Sequence, residues 1–191
     1  MIFKVINNRL YFFSIGLLYA LTYLLNTATA IYQCALIFTL IAVTTNLLTS
    51  LYGKTKALTA LSIAIIISFA QQWQLPYYID GKIVNGLVTA SFSSIIVSMY
   101  WSASIFQILN HKFTVNVSTA LSLILAAIID GLIMGLFFII NNNFSYERIL
   151  DIFTREVSYK TLYGIITSMV ISIAVDILKN NHKQKMNNYY L

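Results

Sequence analysis

The chain has 191 residues, of which 59% are hydrophobic and 9% are charged, and its mean hydropathy is +0.77. Because a soluble domain carries about 25% charged residues, this composition excludes an ordinary soluble enzyme, a nucleic-acid-binding domain and a disordered chain. The net charge of +6 does not indicate nucleic-acid binding, since the basic residues lie singly or in pairs between apolar segments. The sequence therefore predicts an integral membrane protein.

Six segments are apolar and long enough to cross a bilayer as helices, which takes roughly 20 residues. Their predicted bounds are 10–26, 30–52, 57–73, 84–109, 115–140 and 161–178. These runs lack the alternation of apolar and polar residues that is typical of membrane β-strands. The first run follows two basic residues, but no small-residue cleavage site closes it, so we expect a membrane helix there. The prediction is an all-α bundle of six transmembrane helices over 1–178, with a polar, disordered cytoplasmic tail over 179–191.

The charges between the segments predict the orientation of the helices. With the N-terminus inside, eight Lys or Arg residues fall on the inside and four on the outside, where acids match them. This excess satisfies the positive-inside rule with both termini in the cytoplasm. The long connection 141–160 is expected to form a turn and a short amphipathic helix on the outer membrane surface. Lys160, at its end, is interpreted as an interfacial anchor, with an outward cavity as the alternative location.

Asp130 is the acid expected nearest the middle of the membrane. It lies about 4 Å from the midpoint of the fifth segment, given the helical rise of 1.5 Å per residue. An ionisable side chain at this depth points into the bundle rather than at lipid. No cation is expected at the same depth to neutralise it. A substrate or proton site is therefore favoured over a structural partner for a neighbouring polar side chain.

Small polar residues repeat every four positions on several of the segments, as packing faces between close helices do. The repeats are Ala42, Asn46 and Ser50 on the second segment, Ala90, Ser94, Ser98 and Ser102 on the fourth, Ser118, Ser122, Ala126 and Asp130 on the fifth, and Gly164, Ser168, Ser172 and Asp176 on the sixth. A packing role is the favoured interpretation for the individual serines. Trp101 is expected to pack in the core, with stacking on a planar ligand or gating as the alternative.

The sequence contains no pattern typical of a catalytic or metal site. The two histidines, His111 and His182, fall in a loop and in the tail, and Cys34 is the only cysteine. Zinc sites, metalloproteases and intramembrane Ser/His pairs cannot be assembled from these residues. We therefore expect no enzyme activity, no metal and no cofactor. A small solute carrier, which needs only a few convergent polar groups near the membrane midplane, is the leading hypothesis.

The stretch 45–54, Thr-Asn-Leu-Leu-Thr-Ser-Leu-Tyr-Gly-Lys, resembles the second-helix signature of the vitamin uptake/queuosine precursor transporter family. That signature has two acids four residues apart, followed by an aromatic residue, a glycine and a basic residue. Asn46 and Ser50 stand at the positions of the acids, and Met99 and Ser102 replace the amide and acid usual in the fourth helix. The other similar stretches are Ala90-Ser91-Phe92, Ser122 with Asp130 and Phe137-Phe138, and Tyr159-Lys160, so that the resemblance covers about residues 30–178.

The resemblance implies import of 7-deazaguanine-type precursors of the tRNA base queuosine across the bacterial inner membrane. Such a small planar heterocycle would bind through Asp130 and Asn46. The serines implied to complete the site are Ser50, Ser98, Ser102 and Ser122. Homo-oligomerisation and docking on an energising partner are both left open. The alternatives are a substrate-capture subunit of another vitamin or nucleobase uptake system and a non-transporting membrane scaffold.

Overall fold

The computed structural model describes residues 8–74, 78–79, 82–141 and 144–188. Within the helices and loops of these ranges, side chains are described up to residue 171 and at residue 173. These residues form an all-helical bundle, which confirms the predicted class. The helices are α1 (Asn8–Thr27), α2 (Ile31–Tyr52), α3 (Lys54–Gln72), α4 (Leu87–Leu109), α5 (Val115–Ile140) and α6 (Tyr146–Asn188). Between α3 and α4, two residue pairs form a short antiparallel ladder of β1 (Tyr78–Ile79) with β2 (Lys82–Ile83).

Helices α1 to α5 are long and apolar enough to cross a membrane. Each begins and ends within three residues of its predicted bounds. Several of their threonine hydroxyls donate to backbone carbonyls one turn earlier, as Thr39 does to Ala35 and Thr45 to Ile41, both at 2.8 Å. These bonds satisfy polar groups that would be costly in contact with lipid. Gly53, with φ of +86°, permits the abrupt turn from α2 into α3.

Helix α2 lies at the centre of the bundle and contacts each of the other five helices. Around it, α1 packs against α3, α4 against α5, and α5 against α6. The main apolar core is shared by the first five helices and contains large buried side chains, including Leu18, Phe38 and Ile95. A smaller cluster of Val84, Phe138 and Ile149 lies where α4 begins, α5 ends and α6 begins. Tight packing of this kind holds membrane helices together, because lipid is as apolar as the core.

Helix α6 differs most from the sequence prediction. It runs unbroken for 43 residues, so the turn expected near 141 leads directly into one helix rather than into a surface helix and a separate span. The amphipathic segment packs against the bundle, where its Phe153 and Val157 lie against Gly131 of α5. The helix also continues to Asn188, so the tail predicted to be disordered is helical over 179–188. The side chains of Ser172 and Asp176 are not among those that the structure describes.

The contacts between α5 and α6 fix an antiparallel register. Gly164 packs against Leu123, Gly131 against Phe153, and Gly135 against Ile149. Helix α5 begins eight residues before Leu123, and position 172 of α6 lies eight residues after Gly164. The start of α5 is therefore level with position 172. Residues 146–172 of α6 therefore lie alongside the whole of α5, and the last 16 residues extend about 24 Å beyond it at 1.5 Å per residue.

Candidate functional site

A cavity of about 420 Å³ lies at the end of the bundle that holds the α1–α2 turn. Its walls come from the C-terminal ends of α1 and α5 and the N-terminal ends of α2, α4 and α6. Aliphatic side chains such as Leu25, Ile31 and Met134 form part of the lining, together with polar and aromatic side chains that include Asn26, Cys34, Phe38, Ser91, Asp130, Phe138, Arg148, Glu156 and Lys160. We refer to this space as the Asp130 cavity.

Three charged side chains meet on the wall of the Asp130 cavity. The Lys160 ammonium donates to Asp130 Oδ2 and, at 2.5 Å, to Glu156 Oε1. Asp130 also accepts a hydrogen bond from the Ser94 hydroxyl. The lysine is 2% exposed, and its Nζ lies 4.1 Å from the centre of the Phe38 ring, which adds a cation–π contact. Charged hydrogen bonds of this type are the strong ones in proteins, so the cluster is held in a defined geometry.

Local helix geometry brings these groups together. Glu156 and Lys160 are four residues apart on α6, the spacing at which helical side chains become neighbours. Asp130 reaches them because Gly131 lets α6 approach α5 closely: a Cβ there would lie 2.9 Å from Phe153 Cε2. Ser94 comes from α4, which also packs against α5. The site therefore depends on the packing of three helices rather than on a local sequence motif.

The expectation that Asp130 has no cation at its depth is wrong. Lys160 pairs with it because α6 enters the bundle four turns earlier than its apolar segment suggested. The interpretation of Lys160 as an interfacial anchor is wrong for the same reason, and its alternative location in a cavity is the one observed. On α6, Asp151 pairs with Arg148, which lines the cavity, at 3.3 Å and with Arg155 at 2.8 Å.

Three of the predicted binding residues form a separate buried network. Asn46 Nδ2 donates to Ser122 Oγ at 2.8 Å, and the Ser102 hydroxyl donates to Asn46 Oδ1 at 3.4 Å. The network joins α2, α4 and α5. Ser122 lies eight residues before Asp130, about 12 Å along α5. In this conformation these side chains satisfy one another and do not line the Asp130 cavity.

The remaining predicted residues also lie outside the Asp130 cavity. Ser98 is buried, and its hydroxyl donates to the Ile95 carbonyl at 3.1 Å, so it serves helix packing. Ser50 is exposed at the end of α2. Trp101 was expected in the core, but it is 48% exposed and packs edge-on against Tyr100. The reason is that α4 turns Ser94, Ser98 and Ser102 inward, which leaves Trp101 on its outer face.

Sequence reasoning missed most of the cavity wall, including Asn26, Phe38, Phe138 and Glu156. A usable signal was present for Glu156. It stands four residues before Lys160 in a run without helix breakers, so the two side chains could form a pair on one helix face. Such a pair can be buried in a bundle where single charges cannot. Asn26 and the two phenylalanines carry no comparable signal.

Within the described part of the chain, no group of three or more His, Cys, Asp or Glu side chains is arranged to hold a metal ion. The lining of the Asp130 cavity is mainly apolar and carries two carboxylates, the Lys160 ammonium, the Arg148 guanidinium, the Asn26 amide and aromatic rings. Comparisons of the chain with protein-family models, curated proteins and solved structures gave no match. The family resemblance therefore rests on the sequence stretches quoted above.

Proposed function

We propose that this protein is a small multi-pass carrier that imports a planar heterocycle of the 7-deazaguanine type across the bacterial inner membrane through the Asp130 cavity. The observation that carries the proposal is a buried carboxylate on the wall of a cavity of about 420 Å³. Small-molecule sites commonly have volumes of about 300–1,000 Å³ and a few fixed polar groups. The resemblance in the sequence supports the substrate class.

The proposed topology has six spans and both termini in the cytoplasm. Helices α1 to α5 supply five of the spans, and residues 146–172 of α6, which lie alongside α5, supply the sixth. In this arrangement the α1–α2 turn faces outward, and the Asp130 cavity opens to the outside. The positive-inside rule supports this orientation, since Lys54, Lys56 and Lys112 then lie at the inner ends of their helices.

The chemistry of the cavity wall suits a flat ligand with amine and amide groups. The two oxygens of Asp130 offer about four acceptor positions, so the carboxylate can accept from an exocyclic amine and a ring N–H while keeping Lys160 and Ser94. Asn26, which is 6% exposed and lines the cavity, has an amide that can both donate and accept. Phe38 and Phe138 provide aromatic surface for a planar ring.

The first test is replacement of Asp130 by Asn in a transporter-deficient strain that is fed a queuosine precursor. We expect tRNA queuosine formation to fall about 10- to 100-fold at limiting precursor, since a hydrogen bond to a charged group is worth about 1.5–3 kcal/mol. Asp151→Asn is the matched control, because Asp151 is partly exposed and pairs with arginines of its own helix. Immunoblots of membranes would establish equal insertion.

Three other results would favour a different function or a different substrate. Normal queuosine formation by an inserted Asp130→Asn variant would contradict a carrier that uses this site, and normal formation by Asn46→Leu as well would favour a membrane scaffold. Co-purification of an ATPase with the wild-type chain would instead identify a substrate-capture subunit that docks on an energising partner. If the wild-type gene restored no queuosine in the transporter-deficient strain, the assignment of a 7-deazaguanine substrate would be wrong.

A further inference from the structure

The end of the bundle opposite the Asp130 cavity is basic, and the helices that meet there carry almost no negative charge. Helices α1 to α4, and the loops that join α2 to α3 and α4 to α5, contain no Asp or Glu. Lys54, Lys56 and Lys112 lie at this end, where α3 and α5 begin and α4 ends. The sequence places an acid near this level only on α6, which packs against α2 and α5. The basic side chains of α3 therefore have no acid on their own or the preceding helices.

A shallow groove runs along the exposed face of α3 from this basic end toward the middle of the bundle. Tyr100 of α4 forms one wall of the groove, and the other lining residues all belong to α3: Lys54, Thr55, Leu58, Thr59, Ser62, Ile63 and Ile66. We refer to it as the α3 groove. Helix α3 is long and apolar enough to cross a membrane. When α3 spans the bilayer, the α3 groove faces lipid.

Lys54 places a positive charge at the basic end of the α3 groove. Its Nζ lies 3.9 Å from the centre of the Tyr100 ring, and this cation–π contact holds the ammonium beside the groove. Within the described part of the chain, Lys54 has this ring contact and no ion pair. The neighbouring Thr55 hydroxyl is exposed and has no hydrogen-bond partner among the same residues. Lys54 and Thr55 can therefore both donate to an anionic group at this end.

The polarity of the α3 groove changes along its length as it does along a phospholipid. Lys54 and Thr55 lie in the first turn of α3, whereas Ile63 and Ile66 line the far end, about 18 Å away along the helix axis. A phospholipid has a charged phosphate at one end and an apolar acyl chain at the other. A headgroup with a net negative charge fits best, because an amine in a zwitterionic headgroup would find no acid on α3 or α4.

We infer that the α3 groove binds an anionic phospholipid of the inner leaflet. The phosphate accepts hydrogen bonds from Lys54 and Thr55, and an acyl chain lies along Leu58, Ile63 and Ile66. The choice of leaflet follows from the proposed orientation, in which this end of the bundle faces the cytoplasm. The negative surface potential of that leaflet attracts basic side chains close to it. The site itself does not depend on the identity of the transported solute.

Trp101 can report which lipid occupies the α3 groove. It is 48% exposed, and its ring lies edge-on against the Tyr100 ring. A Trp73→Phe variant leaves Trp101 as the only tryptophan of the chain. In phosphatidylcholine vesicles, quenching of Trp101 fluorescence by brominated phosphatidylglycerol is compared with quenching by brominated phosphatidylcholine. We expect the anionic lipid to bind about fivefold more tightly, since a basic residue near the membrane surface attracts such lipids by about 1 kcal/mol.

Substitutions of Lys54 in the Trp73→Phe background test the assignment. Lys54→Met should remove the preference for phosphatidylglycerol, and Lys54→Arg should keep it, because a guanidinium also binds phosphate. Lys112→Met is the matched control, since Lys112 is an exposed lysine at the same end of the bundle but outside the α3 groove. This control should keep most of the preference.

Three results would overturn the site. One is the absence of any preference for phosphatidylglycerol in the Trp73→Phe protein, and another is an unchanged preference in Lys54→Met. The third is an equal loss in Lys54→Met and Lys112→Met, which would indicate general attraction to a basic surface rather than binding in the groove. No solute is present in these measurements, so their failure leaves the proposed carrier function untouched, and a failure of queuosine uptake leaves the lipid site untouched.

Discussion

Lys160 is the residue on which the stability of the charged cluster depends. Its replacement by Met would leave the buried Asp130 carboxylate and the partly buried Glu156 carboxylate without their shared partner. Loss of one partner of a buried ion pair costs about 3–5 kcal/mol, and we expect a loss of this size in the free energy of unfolding of Lys160→Met. Asp130→Asn should cost less, because it leaves one acid paired with one base. Denaturant titration of the protein in micelles measures both values.

Lys112→Met is the control for this comparison, since Lys112 is exposed in the α4–α5 loop. It should change the free energy of unfolding by less than about 0.5 kcal/mol, as surface substitutions usually do. The double variant Asp130→Asn/Lys160→Met should not recover full stability, because Glu156 stays unpaired. Equal stability of Lys160→Met and Lys112→Met would show that the buried ion pairs do not form.

The sequence was sufficient to identify Asp130 but not its partner. An acid in the middle of an apolar run is visible in a single segment, because the run itself defines the membrane depth. Lys160 stands at the edge of an apolar run, where a lysine usually reaches the interface. Its depth depends on the side chains that α6 packs against, and that information lies in α5. The pairing between two helices therefore could not be read from either one alone.

At the scale of elements, the approach of α5 to α6 depends on the missing side chain of Gly131. A Cβ at this position would lie 2.9 Å from Phe153 Cε2 and 3.0 Å from Val157 Cγ2. Overpacking in a tight core costs about 1–3 kcal/mol, so we expect Gly131→Ala to be destabilised by that amount. We also expect weaker uptake, because the displaced α6 carries Glu156 and Lys160. Thermal unfolding in micelles and precursor uptake are the measurements.

Gly16→Ala provides the matched helical control. A Cβ at Gly16 meets nothing within 4 Å, and Ala is favoured over Gly within helices by about 1 kcal/mol. This variant should therefore be as stable as the wild type or more stable. Phe153→Leu in the Gly131→Ala background should recover part of the loss by making room. A Gly131→Ala protein with wild-type stability would contradict the close α5–α6 contact.

The failure to predict α6 has a specific physical cause. Average hydropathy selected 161–178 and rejected the charged stretch before it. That stretch can nevertheless lie beside α5, since its charges are paired: Asp151 with Arg155, and Glu156 and Asp130 with Lys160. Pairing lowers the cost of placing charges in a bundle, and hydropathy averages do not include it. The first five helices carry few charges, which explains why their bounds were predicted closely.

At the scale of the whole molecule, the structure and the sequence pattern place Ser158 in different environments. An amphipathic helix on the outer surface would put Ser158 close to water. In the structure, Ser158 lies on the exposed face of α6 at the level of the middle of α5. Since α5 is 26 residues long, about 39 Å, this level is the bilayer centre if α5 spans the membrane. Cysteine accessibility can decide between the two locations.

The experiment uses single-cysteine variants in a Cys34→Ser background, which removes the only native thiol. On intact cells we expect a membrane-impermeant maleimide to label Glu147→Cys at the outer start of α6, and to label Lys112→Cys only after permeabilisation. Ser158→Cys should stay unlabelled in both conditions, because lipid surrounds it. Labelling of Ser158→Cys on intact cells would place 146–160 on the outer surface and would separate Lys160 from Asp130. Labelling of Lys112→Cys on intact cells would reverse the topology and make the Asp130 cavity face the cytoplasm.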